Sequence, residues 1–205
     1  PEVCEALGNS IKIGLLATIF STILGTMIAF AIGRYAFKGR SSSNLLIFLP
    51  MATPEIVLGA SLLSLFLVFQ INPGFWPTVL AHVMFCISFV VVTVKARIAS
   101  LDPRLEQAAM DLYANELETF RKVTLPLVAP GIAGAALLAF SLSFDDFIIT
   151  NFNSGTLKTF PEFVYTSAAR GIPAQANVIG SAMFFLALFI VIAGQFVSKK
   201  AKVSK

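Results

Sequence analysis

The sequence predicts an all-α, polytopic membrane protein, and three observations carry that prediction. Of the 205 residues, 57% are hydrophobic and 13% charged, about half the charged share of an ordinary soluble domain. The mean hydropathy is +0.83. Apolar stretches of about 20 residues, the length that crosses a hydrocarbon core, recur along the chain. The basic residues fall between alternate stretches instead of being spread evenly.

Five stretches qualify as spans. They run from about Ile11 to Ile32, from Leu45 to Phe69 with Pro50 and Pro54 inside, and from about Thr78 to Val94. The fourth runs from about Leu125 to Ile149 with Pro126 and Pro130 at its start, and the fifth from about Val178 to Val197. All are expected to be helices, because an open strand leaves its backbone polar groups unpaired in lipid. The alternating ten-residue pattern of a membrane β-barrel is missing from the sequence. The proline pairs are expected to bend or break the second and fourth spans. Broken helices are tolerated where they line a cavity, so these two spans are the candidate pathway wall.

Basic residues orient the spans. Arg34, Lys38 and Arg40 follow the first span. Lys95, Arg97, Arg104, Arg121 and Lys122 separate the third from the fourth, and Lys199, Lys200, Lys202 and Lys205 follow the fifth. Lys12, Lys158 and Arg170 fall on the other side. The larger group is assigned to the cytoplasm, which puts the N-terminus outside and the C-terminus inside. An outside N-terminus without a basic leader leads to the expectation of a sixth span, encoded ahead of Pro1 and missing from this chain. On the outer side, Asn72-Pro73-Gly74 is a turn signal, and Phe75-Trp76 suits an interfacial aromatic belt. A short amphipathic helix is expected near Phe160 to Ala169. Cys4 and Cys86 share no metal or redox spacing and read as small apolar residues. With no internal repeat or linker, residues 1–205 read as one membrane domain.

The loop between the third and fourth spans is too long for a simple connector. Asp102-Pro103 reads as a helix start. Leu105, Ala108, Ala109 and Leu112 share one helical face, a break follows near Tyr113 to Asn115, and Leu117, Phe120 and Val123 form a second apolar stripe. The expectation is two short helices with a turn between them, at about residues 100–124.

These residues resemble the "EAA" loop of ABC importer permeases: Glu106-x-Ala108-Ala109-x-Asp111-Leu112, then Thr119-Phe120-Arg121-Lys122-Val123-Thr124-Leu125-Pro126-Leu127. In that family the loop is a coupling helix docked in a cleft of an ATP-hydrolysing subunit. The resemblance therefore implies a type I transmembrane domain and an ATPase-coupling role for Glu106, Ala108, Ala109, Asp111, Leu112, Tyr113, Asn115, Phe120 and Pro126. It further implies two copies of the ATPase, a second homologous permease, an extracytoplasmic substrate-binding protein, and surrounding membrane lipid. ATP and Mg would be bound by the ATPase, with no cofactor in this chain, no nucleic acid as partner, and the bacterial inner membrane as location. One departure stands out. Tyr113 occupies a place usually held by Gly, which adopts left-handed turns freely. Asn115 is expected to take up that conformation instead.

Leu7-Gly8-Asn9-Ser10-Ile11, Pro50-Met51-Ala52-Thr53-Pro54-Glu55-Ile56-Val57 and Ser143-Phe144-Asp145-Asp146-Phe147 extend the resemblance to the spermidine/putrescine permease branch, and most closely to the second permease of that system. Glu55, Asp145 and Asp146 are the acidic residues in or near spans. A carboxylate at mid-bilayer costs about 2.5–3.5 kcal/mol on insertion scales, and no intramembrane Lys or Arg neutralises these. The imbalance suits a cationic substrate or a water-filled path, with Trp76, Phe144, Phe147 and Tyr165 offering cation–π faces. Each acid also has a plainer reading: Glu55 as the cap of a half-helix, and Asp145 and Asp146 as hydrated groups near the outer interface. Neighbouring helical residues point about 100° apart, so both aspartates are not expected to face one ligand. His82 is expected to hydrogen-bond to a neighbouring span.

The sequence has no G-x-x-x-x-G-K-S/T phosphate loop, no H-E-x-x-H and no nucleophile elbow. It is therefore expected to be non-catalytic and driven by a partner. Two other readings stay open: a permease for another small substrate such as a metal cation, and a secondary transporter driven by an ion gradient.

Overall fold

The computed structural model describes residues 2–168, 174, 177–185 and 188–189. Among the described residues, three helices are long and apolar enough to cross a membrane: α1 (Glu2–Arg34), α4 (Phe75–Ala99) and the run Glu116–Asp145 that ends in α7 (Leu125–Asp145). Together with α2 (Arg40–Ala52) and α3 (Glu55–Val68), a pair bent by 107° at a short break, they cover the first four predicted stretches. Half of the fifth, Val178 to Val197, lies outside the described residues, and Arg170 and the terminal lysines lie outside them altogether.

A stripe of small residues brings the long helices together. Ser10, Gly14, Ala17, Ser21, Gly25 and Ala29 are all buried on one face of α1. Small side chains let helix backbones approach where lipid gives no hydrophobic drive for association. A Cβ on Gly25 would stand 2.7 Å from Val90 Cγ1 of α4, and one on Gly14 would stand 3.1 Å from Phe140 Cε2 of α7. The core then fills with Cys86, Val90, Val91 and Val94 from α4 and Val128, Ala135 and Ala139 from α7. Cys4, the other cysteine, is exposed.

The proline pairs act differently from one another. In the second span the chain breaks at Thr53–Pro54, and α3 restarts at Glu55. In the fourth span, where a bend or a break was expected, the prolines do not break the helix. α7 runs through Pro130 to Asp145. Pro126 is accommodated because a π-helical turn, Phe120–Thr124, precedes it, with the Leu125 N–H bonded to Phe120 O. That widened turn relieves the clash that a helical proline makes with the carbonyl four residues back. The break comes at Asp146 instead, and α8 (Ile148–Asn153) continues to the outer end.

The two ends of the bundle carry different chemistry. At one end Lys95 Nζ donates to Asn44 Oδ1 (2.6 Å), and Arg97 donates twice to Leu127 O (3.1 and 2.8 Å). At the other, Asn9 Nδ2 donates to Lys158 O (3.0 Å), Gly74 N to Asn153 O (2.9 Å), and Phe160 N to Ser10 Oγ (2.8 Å). Basic residues thus collect where the sequence placed them. The outer amphipathic helix is α9, Phe160–Ala168.

Candidate functional site

The break in the second span and the break in the fourth face each other. Glu55, Asp145 and Asp146 line one cavity of about 350 Å³, with Phe85, Ser141, Leu142, Phe147 and Ile148. Glu55 stands at the start of α3, and both Glu55 and Asp145 are exposed to the cavity side of the chain. Among the described residues the lining contains no Lys or Arg.

The aspartates are placed along the bundle by their neighbours on α4. Ser143 and Asp146 lie beside His82, seven residues into α4, or about 10 Å below the outer end of that helix at 1.5 Å per residue. Along the helix axis the aspartates thus sit about two turns below that end of α4. α7 stops short of the outer surface, and α8 covers the remaining distance.

The two aspartates differ in their surroundings. Asp146 is buried (8% exposed), and its carboxylate is occupied. Asp146 Oδ1 accepts from Ile149 N (3.3 Å). Asp146 Oδ2 accepts from Thr150 N (2.9 Å) and from the Thr150 hydroxyl (3.1 Å), and lies 3.4 Å from His82 Nε2. Asp146 thus caps α8, where a helix N-terminus favours an anion. His82 joins α4 to both halves of the broken span, with Nδ1 2.7 Å from Ser143 Oγ and Nε2 3.0 Å from Thr150 Oγ1. The network assigns the proton to Nε2, because the Thr150 hydroxyl already donates to Asp146. The interhelical role expected of His82 holds. Asp145, one position earlier, has no such partners among the described residues.

The aromatic candidates are not all at the cavity. Phe147 lines it and stacks on Tyr165 (centroids 4.3 Å apart). Phe144 stacks on Phe140 (5.8 Å) away from the lining. Trp76 packs edge-on to Phe75 in the first turn of α4 and is 61% exposed. It stands nine residues before Phe85, about 13 Å along the helix, so the structure does not bring it to the carboxylates. The sequence reading missed Phe85 as a wall residue, since nothing local marks it among the apolar residues of its span.

At the opposite end lies the loop between α4 and α7. α5 (Arg104–Asp111) and α6 (Glu116–Thr119) are the two short helices expected. Asp102 Oδ1 accepts from Arg104 N (3.0 Å) at the start of α5. The turn after α5 is a Schellman motif: Ala114 N bonds to Ala109 O (3.2 Å) and Tyr113 N to Met110 O (2.9 Å). The residue following such a helix end adopts the left-handed conformation, and here it is Tyr113, with φ 65°. The expectation that Asn115 would do so is overturned. Asn115 is extended and caps α6, accepting from Glu118 N (2.9 Å), while Glu118 accepts from Asn115 N (3.3 Å). The Asn115 N–H and the Lys122 ammonium hold the Glu118 carboxyl below the usual range.

Leu105, Ala108, Asp111, Leu112 (81% exposed) and Tyr113 (97%) point away from the bundle, as does Leu117. Ala109 and Glu106 turn partly inward. Phe120 packs edge-on to Phe30 (5.2 Å), and Pro126 is exposed on the first turn of α7. Beside the loop opens a cavity of about 830 Å³ whose lining includes Phe30, Arg34, Ile98, Glu106 and Phe120.

Residues 21–201 match the family of binding-protein-dependent transport system inner membrane components. This chain belongs to that family. The permease is 36% identical over 197 residues to the spermidine/putrescine transport system permease protein PotC of Haemophilus influenzae, covering 96% of this chain and 77% of that protein. It is 35% identical to the PotC protein of Escherichia coli (97% and 75% covered) and 37% identical to the putrescine transport system permease protein PotI of the same organism (86% and 66%). Its fold is similar to that of the MetNI methionine ABC transporter in inward-facing conformations, with a TM-score of 0.77 at 14% identity over 96% of this chain and 94% of that one. It is also similar to that of an amino acid ABC transporter (TM-score 0.69, 20% identity, 93% and 89% covered). The permease is thus a non-catalytic, multi-pass membrane component of an ABC importer.

Proposed function

We propose that residues 1–205 form one permease domain that supplies half of a translocation pathway for spermidine, putrescine or a related polyamine. The observation that carries this reading is the meeting of Glu55 and Asp145 in one cavity whose lining, among the described residues, holds no Lys or Arg. An elongated ammonium compound supplies the missing positive charge and lays its methylenes on apolar walls. Phe147, stacked on Tyr165, offers an aromatic face to an ammonium group. Asp146 shapes the site by fixing α8 and leaves substrate contact to Asp145.

The energy comes from outside the chain. Two ATPases bind ATP and Mg, and one docks on α5 through Leu105, Ala108, Leu112 and Tyr113, whose exposed apolar side chains have no partner among the described residues. A second permease closes the pathway, and a binding protein delivers substrate to the outer end. The loop and the C-terminus lie in the cytoplasm of a bacterial cell, as the basic residues dictate. Nucleotide binding shifts the assembly between inward-open and outward-open states in proportion to its differential affinity for the two.

The test is uptake of labelled spermidine by proteoliposomes that hold the assembled complex with its binding protein. ATP-dependent uptake that unlabelled putrescine competes away is the expected result. An assembled, ATP-hydrolysing complex that moves neither compound would refute the polyamine assignment.

A further inference from the structure

We propose that Glu106 is a positioning residue that, with Arg34 and Thr124, forms a joint handing displacements of the coupling helix α5 to α1 and α7. The inference rests on the reading of α5 as the ATPase contact. It concerns what happens behind that contact, on the side facing the membrane.

Glu106 does not share the outward face of its helix. Its carboxylate turns back toward the bundle, where Glu106 Oε1 accepts from Arg34 Nη2, at the last residue of α1, and from the Thr124 hydroxyl (2.5 Å). Arg34 Nη2 also lies 3.4 Å from Thr124 Oγ1, closing a triangle across three elements. The Arg34 guanidinium sits over the Phe30 ring (5.6 Å to the centroid), and Phe30 meets Phe120 edge-on. One charged cluster with an aromatic backing therefore ties α1, α5 and the π-helical turn that leads into α7.

The surroundings make this tie matter. The α5 helix is eight residues long and has no buried residue, so apolar packing does not fix it to the bundle. Thr124 is fully buried, and the Glu106 and Arg34 side chains are 25% and 29% exposed. Burial raises the Glu106 pKa, but the hydrogen bonds from Arg34 and Thr124 and the Arg34 charge outweigh it, so the carboxyl titrates below its usual range and stays ionised at neutral pH. The π turn lies where the loop becomes a membrane helix, and such turns are frequent at functional sites. A partner that shifts α5 thus pulls on the end of α1 and on the start of α7, and these two helices pack against each other along the bundle. α7 ends at the broken segment carrying Asp145.

The experiment compares Arg34→Gln, Glu106→Gln, the double variant and Arg34→Lys in reconstituted full complexes. It reads substrate taken up per ATP hydrolysed, together with the amount of ATPase that co-purifies. Each Gln variant is expected to lower that ratio about tenfold, within the span of ordinary coupling free energies. The double variant should be no worse than either single, because both remove one interaction, and Arg34→Lys should recover part of the loss. Unchanged ratios, or losses that multiply in the double variant, would overturn the joint. So would loss of ATPase association in Glu106→Gln alone, which would place Glu106 at the partner surface. A parent complex that retains no ATPase would overturn the importer reading and this inference with it.

Discussion

The adjacent aspartates give the sharpest test of the site, because the structure assigns them opposite consequences. In Asp146→Asn the shape is kept, but one oxygen becomes an NH₂ group. With the remaining oxygen at the Asp146 Oδ2 position, the Thr150 bonds persist, and the NH₂ then opposes the Ile149 N–H that Asp146 Oδ1 had accepted. A buried donor left without its acceptor costs about 1–3 kcal/mol. Removing the anion from the start of α8 adds about 0.3–1 kcal/mol, for a total of about 1–4 kcal/mol of lost stability. Asp145→Asn breaks none of these bonds, so its midpoint should match the parent. If Asp145 contacts an ammonium group of the substrate, removing the charge forfeits a charge-assisted bond of about 1.5–3 kcal/mol, or roughly 10- to 150-fold in apparent substrate affinity. The assay pairs thermal unfolding of the detergent-purified complex with uptake measured over a range of spermidine concentrations. A midpoint that falls in Asp145→Asn and holds in Asp146→Asn would refute the division of labour. Equal apparent affinity in Asp145→Asn and parent would remove Asp145 from the pathway.

Two further substitutions probe the backbone. Tyr113 adopts a left-handed conformation that costs an ordinary residue about 1–2 kcal/mol. Tyr113→Gly should therefore increase hydrogen-exchange protection of the α5–α6 amides, and reduced protection would count against the strain. Gly25→Ala places a Cβ 2.7 Å from Val90 Cγ1 and 3.3 Å from the Ile87 carbonyl oxygen. Such overpacking should destabilise the α1–α4 crossing by about 1–3 kcal/mol in thermal unfolding, with partial recovery in Gly25→Ala/Val90→Ala. A neutral Gly25→Ala would mean that α1 and α4 pack less closely than described.

Much of this protein was legible in its sequence because the bilayer imposes simple local rules. A run of apolar residues long enough to span must be helical, and the side on which Lys and Arg collect sets the direction. The four spans within the described residues, the outer helix α9 and the helix–turn–helix at residues 104–119 all follow from such local patterns. So does the interhelical role of His82, a polar ring in an apolar span. Tertiary structure decided what depends on residues far apart in the chain. Asp145 and Asp146 look equivalent in sequence, and only the break of α7 against α4 and α8 turns one carboxylate into a helix cap and leaves the other facing the cavity. Glu55 joins Asp145 because two separate spans break at facing positions. Trp76 and Phe144 have the right chemistry but are carried elsewhere by helix rise and rotation. Arg34 reads in sequence as one more positive charge at a membrane edge. Its pairing with Glu106, 72 positions away, arises only because α1 and α4 pack side by side and bring the end of one to the loop that follows the other.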